Sequence, residues 1–154
     1  DGSTLQLEPE FSRPSCVVLM GFDEDFESNP HSVARVFPVS RITILAGPYD
    51  LTFGEKTTPI AFPFMVECWN PRPMLRVNLL GVIAKLDESA LQDIEYLQSC
   101  KLRGIQPTLP LGSAGHVGID LDPSDPYDPR IKFQAEELDR TSFLSDPVNA
   151  LRAN

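Results

Sequence analysis

The chain has 154 residues, 42% of them hydrophobic and 23% charged, with a formal net charge of −9. That length fits one domain with a real core, and that composition excludes general disorder. The acidic balance, with no dense Lys/Arg cluster, argues against nucleic acid or an anionic membrane as partner, since such binding rests on cations neutralising phosphates.

Proline stands out at 15 residues, against a usual share of roughly 5%. It lacks the amide donor that helix interiors and central strands need, so short elements, many turns and extended arms are expected. Residues 1–14, polar with two prolines, read as an N-terminal arm ahead of a single domain over 15–138. The start at Asp1 reads as a processed or trimmed one, and a removed targeting peptide would leave no trace. Cys16-Val-Val-Leu-Met20, stopped by Gly21, predicts a buried strand. An acidic loop follows over 22–32. Residues 33–45 predict two strand pieces split near Pro38 and Ser40. In the second piece Ile42 and Ile44 alternate with Arg41 and Thr43, as on a half-buried strand.

The Gly47-Pro48 pair marks a turn before a short strand at Leu51–Phe53. Over 60–69, Phe62, Phe64, Val66 and Cys68 share one face. Ala61, Pro63, Met65, Glu67 and Trp69 share the other, and Pro63 argues for an edge strand. Residues 74–86 are the longest extended run. Their apolar parity switches at Leu79-Leu80 beside Gly81, which predicts a β-bulge. Residues 89–103 predict the one amphipathic helix, with Ala90, Leu91, Ile94, Leu97 and Cys100 on one side. Ser89 and Gln92 have capping-box spacing, Lys101 and Arg103 suit the negative helix end, and Gly104 suits C′. Tyr96 falls on the polar side as an isolated surface tyrosine. Residues 116–121 predict a strand with Val117, Ile119 and Leu121 inward. Residues 131–138 suit a strand or short helix, and 139–154 a C-terminal arm. The fold class that follows is mainly β, with α+β possible: an antiparallel sandwich or barrel of about seven to nine short strands with one helix.

Chemistry-bearing residues concentrate near one place. On an extended strand His116, Gly118, Asp120 and Asp122 share a face. An imidazole and two carboxylates could hold a divalent metal, with His31 the one further histidine. The simpler reading is the wet face of a half-buried strand running into a proline-punctuated loop, where aspartates accept backbone hydrogen bonds. An EF-type calcium loop from Asp23 fails at Ser28 and Ala34. Ser113, His116 and Asp120 are sequence neighbours, and a triad is defined by geometry, not by adjacency. No G-x-S-x-G elbow or dinucleotide G-x-G-x-x-G unit is present. Cys16, Cys68 and Cys100 are odd in number and widely spaced, which argues against a disulfide framework or zinc site and for free, buried thiols in a reducing compartment. No apolar run reaches the about 18 residues of a membrane span, so a soluble protein is expected.

The expected function is a non-enzymatic interaction or structural subunit of a larger protein assembly, a homo-oligomer or a complex with another protein, with extended termini contacting neighbours. No cofactor is expected. The alternative is a metal- or small-ligand-binding β-barrel, including a metal-assisted enzyme, using His116, Asp120 and Asp122.

Overall fold

The alternation over 60–69 marks the middle of the sheet. The structure, a computed structural model, describes residues 16–22, 31–122 and 124–153. The expected arm over 1–14 and most of the acidic loop lie outside them. Among the described residues the strands are β1 (Val17–Phe22), β2 (Val33–Ser40), β3 (Asp50–Phe53), β4 (Phe64–Glu67), β5 (Arg72–Leu75) and β6 (His116–Val117). The α-helices are α1 (Glu88–Arg103) and α2 (Pro129–Ala153). All strand pairings are antiparallel, in the order β1-β2-β4-β3-β6. β5 pairs with Val33–Val36 of β2, and β4 pairs with Val39 and Ser40 further along it. The architecture is therefore α+β with an open sheet. It corrects the expectation of a sandwich or barrel with a single helix.

Register assigns the faces. Leu51 opposes Val66, Phe53 opposes Phe64, and Val39 opposes Val66. With Phe37 and Cys68 these side chains form one core with Ala90, Ile94 and Leu97 of α1. Burying each large aliphatic there contributes about 1.5–3 kcal/mol. The opposite parity carries Ala34, Val36, Ser40, Asp50, Met65 and Glu67, and this is the face that α2 covers.

α1 forms where the stripe predicts, but its cap differs. Asp87, not Ser89, accepts the Ala90 N–H at 2.8 Å, while the Ser89 hydroxyl donates to the same carboxylate at 2.9 Å. Gly104 closes the helix at φ 66°, its N–H on the Cys100 and Lys101 carbonyls. Only glycine takes that conformation without a Cβ penalty.

α2 corrects two expectations at once. Residues 131–138 and most of 139–154 form one helix of 25 residues, Pro147 included, instead of a short element and an arm. Its inward residues Phe133, Glu137, Thr141, Leu144 and Val148 recur at helical spacing. Two of the five are polar, so an apolar-periodicity reading passes over the stripe.

Four further expectations are corrected. The second piece of 33–45 is a 3-10 turn, Thr43–Leu45, and Ile42 and Ile44 are exposed. The Ser40 hydroxyl accepts the Ile42 N–H at 3.1 Å where β2 ends. β4 is central and not an edge, because it starts after Pro63 and the proline removes no ladder bond. The run over 74–86 is strand only to Leu75. A 3-10 turn, Arg76–Asn78, follows, then residues without regular structure, so the expected bulge at Gly81 has no ladder to sit in. The strand expected over 116–121 stops at Val117.

Candidate functional site

The early end of β6 has a steric cause. The Gly118 N–H donates to the Gly47 carbonyl at 2.9 Å, and a Cβ at Gly118 would stand 2.0 Å from the Ala46 carbonyl oxygen. This close backbone crossing turns the chain off the sheet. Val117 packs against the core, but Ile119 is 79% exposed. The bare position at Gly118 makes room for Ala46, not for a ligand between His116 and Asp120.

The predicted metal candidates separate accordingly. His116 is exposed and lines an open recess of ≈ 640 Å³ with Ile44, Thr52, Ile119, Tyr127 and Arg130. Asp120 and Asp122 are outside its lining. Asp120 accepts from the Gln106 amide at 2.6 Å, and Asp122 from the Ser124 N–H and hydroxyl at 2.9 and 2.6 Å. The Ser124 donors hold the Asp122 carboxyl below its ordinary range. Asp125 accepts from the Tyr127 N–H at 3.0 Å. Asp122 and Asp125 thus close local turns, while Asp120 ties its loop to Gln106 beyond α1. Among the described residues no three of His, Cys, Asp and Glu are arranged to hold a metal ion. Ser113 bonds Asp93 of α1 through its N–H, at 2.8 Å, and its hydroxyl. Of the other sequence candidates, His31 is exposed, and Asp23 lies outside the described residues.

Arg130 fixes the rim of the recess. Its guanidinium donates to the Ile119 carbonyl at 2.7 Å, the Asp120 carbonyl at 3.1 Å and Asp128 at 2.7 Å. It fastens the loop after β6 to the first turn of α2. Tyr96, expected as an isolated surface tyrosine, accepts the Thr108 N–H at 2.8 Å. All three cysteines are free, Cys68 and Cys100 in the core and Cys16 half-buried.

Between the sheet and α2 lies a polar cluster that the sequence reading did not single out. Asp50 accepts the Gly47 N–H and the Trp69 indole N–H, each at 2.8 Å. Burial pushes its pKa up to about 6 against those two donors. Asp50 stands opposite Glu67 in the β3–β4 ladder. Asn70 donates to Glu67 at 3.1 Å and to Thr141 at 3.0 Å. Glu137 is chelated by Arg140 at 2.5 and 2.8 Å. One signal was present in the sequence: Glu67 is the only charged residue on its strand face, between Met65 and Trp69.

A third feature is apolar. Val77, Leu80, Val82 and Ile83 are all exposed, Leu80 at 84%, Val82 at 88% and Ile83 at 73%. Among the described residues, 80–86 make no backbone hydrogen bond. This run links β5 to α1. No family model, curated protein or solved structure matches the chain.

Proposed function

We propose that this chain is a non-enzymatic interaction subunit of a larger protein assembly, and that residues 77–86 are its contact element. The observation that supports this most is the coincidence, in one run, of exposed large aliphatic side chains and backbone that is unpaired among the described residues. An extended apolar segment with free N–H and C=O groups can add to the sheet edge of a neighbour, the ladder supplying affinity and the side chains specificity. Within 77–86 the charge is the exposed Lys85, with no carboxylate, so the segment carries no anion to repel an acidic partner surface. The polar clusters fit the non-enzymatic reading, because Asp122, Asp125 and Asp128 close turns, Asp120 bonds Gln106, and Asp50, Glu67 and Glu137 are buried. The sequence-based expectation placed the contacts on extended termini. The C-terminal half of that idea gives way, since residues up to Ala153 form a helix that packs against β5.

The test is native mass spectrometry and light scattering on the protein purified from its source cells. A stoichiometric complex, with itself or with another protein, is expected for the wild type. Val82→Asp with Ile83→Asp should dissociate it while shifting the chain's own unfolding by less than about 0.5 kcal/mol, as exposed sites do. A wild type that is always a lone monomer, or a complex indifferent to both substitutions, would overturn the proposal.

A further inference from the structure

Glu67 has 0% exposure. Its Oε1 accepts from Asn70, Oε2 has no donor among the described residues, and Asn70, which also bonds Thr141 one turn along α2 from Glu137, places Glu67 beside the Glu137 carboxylate. Two carboxylates facing each other in a dry site cannot both be ionised. Glu137 holds the cation, through two bonds to Arg140, so Glu137 is the ionised member. A proton on Glu67 then gives Oε2 a hydrogen to donate to Glu137 and removes the buried orphan.

We propose that the Glu67–Glu137 pair is a proton-operated latch: one shared proton holds α2 on the sheet, and its loss releases α2 while α1 stays packed. The geometry makes α2 the part that moves. α1 is held by an apolar core, whereas α2 joins the sheet through Asn70–Thr141 at 3.0 Å and Arg72 to the Leu138 carbonyl at 2.7 Å, besides Phe133, Leu144 and Val148. Loss of the proton sets Glu67, Glu137 and the neighbouring Asp50 against each other. Arg140 is then the cation at the pair, with Arg130 acting on Asp50. Release would uncover Ala34, Val36 and Met65, which are fully buried on that face.

The direction with pH follows from burial first and Glu137 second, which together raise the Glu67 pKa to about 9. A carboxyl whose folded value lies above its ordinary value of about 4.3 contributes stability fully present below that ordinary value. The contribution is lost as pH rises towards the folded value. Asp50 acts in the same sense over a lower range. Burial also opposes ionisation of Glu137, but Arg140 and Glu67 outweigh it and hold that carboxyl below its ordinary range. Its contribution therefore fades only in stronger acid. The latch is tightest in mild acid and loosens through neutrality.

Hydrogen exchange of the full chain between pH 5.5 and pH 9, corrected for the base-catalysed intrinsic rate, reads α2 and α1 separately. The opening constant of α2 should rise up to ten-fold per pH unit, the limit for one proton, with α1 protected throughout. Trp69, the one tryptophan, reports from the same cluster by fluorescence. Glu67→Gln, which keeps the shape of a neutral acid, should abolish most of the slope. Carboxyl-labelled infrared spectroscopy of the wild type provides a check that needs no variant: one protonated glutamic acid should persist at pH 7. The proposal is overturned if every glutamate is ionised at pH 7, if α2 and α1 open together, if α2 opening is flat with pH, or if Glu67→Gln retains the wild-type slope.

Discussion

Gly118→Ala tests the account of why the chain leaves the sheet after Val117. The added methyl would lie 2.0 Å from the Ala46 oxygen and 2.9 Å from the Gly47 nitrogen. Ordinary contact needs about 3.5 Å, so the shortfall at the oxygen is about 1.5 Å. Both colliding atoms belong to backbone, and neither can swing aside as a side chain would. Relief means parting residues 46–47 from 118, which breaks the 2.9 Å bond from the Gly118 N–H to the Gly47 carbonyl. Overpacking costs about 1–3 kcal/mol and the lost hydrogen bond about 1 kcal/mol. The smaller entropy of the unfolded alanine chain returns about 0.4–1 kcal/mol. A net loss of about 1–3.6 kcal/mol follows from these terms. Gly115→Ala meets Leu51 Cδ1 at 2.5 Å, a side-chain end that can rotate, and should cost less. Gly54→Ala meets nothing within 4 Å and should be neutral or slightly stabilising. Urea unfolding of the three variants gives the order directly. If Gly118→Ala is as stable as Gly54→Ala, the close crossing is not what ends β6. If it loses a bound metal without losing stability, Gly118 is spacing a ligand site after all.

Two further substitutions test the corrected N-cap and the metal alternative. Asp87→Ala should cost about 0.5–2 kcal/mol as the loss of an N-cap, whereas Ser89→Ala, which removes only a donor to that cap, should cost less than half as much. The reverse order in thermal or urea unfolding would return the cap to Ser89. His116→Ala should leave unfolding within about 0.5 kcal/mol of wild type, as at other exposed sites. Calorimetric titration with zinc should give the same result for both proteins, and a stoichiometric site lost in the variant would revive the metal reading.

What was legible in the sequence was whatever a local pattern determines. Five apolar residues before Gly21 signalled the strand β1, though not its burial or its end, since β1 closes the strand order among the described residues, runs on to Phe22 and leaves Leu19 exposed. The stripe from Ala90 to Cys100 with Gly104 behind it signalled α1. The two faces of β4 also follow from alternation, down to Glu67 sharing a face with Met65. What was not legible depends on partners far along the chain. Alternation in 74–86 signals extended backbone, but a strand also needs a neighbour, and beyond the Arg76 N–H, which still reaches the Ser32 carbonyl at 2.9 Å, nothing described in this chain supplies one. Gly118 reads as open space until Ala46, more than seventy residues earlier, is found against it. Glu137 and Thr141 look like solvent-facing residues until Glu67 and Asn70 are found opposite them.

These long-range pairings give the two faces of one sheet different physical characters. The α1 face is closed by apolar contacts, whose strength does not depend on protonation. The α2 face is closed partly by carboxyl groups, whose strength does. β5 joins that second face to the proposed contact run: it packs under α2 and continues at Leu75 into the residues that lead to Leu80, Val82 and Ile83. A change in α2 docking therefore acts on the strand that anchors the contact run, without passing through the α1 core. If both proposals hold, assembly through residues 77–86 should change with pH in the wild type and lose most of that dependence in Glu67→Gln, even though residue 67 is itself fully buried.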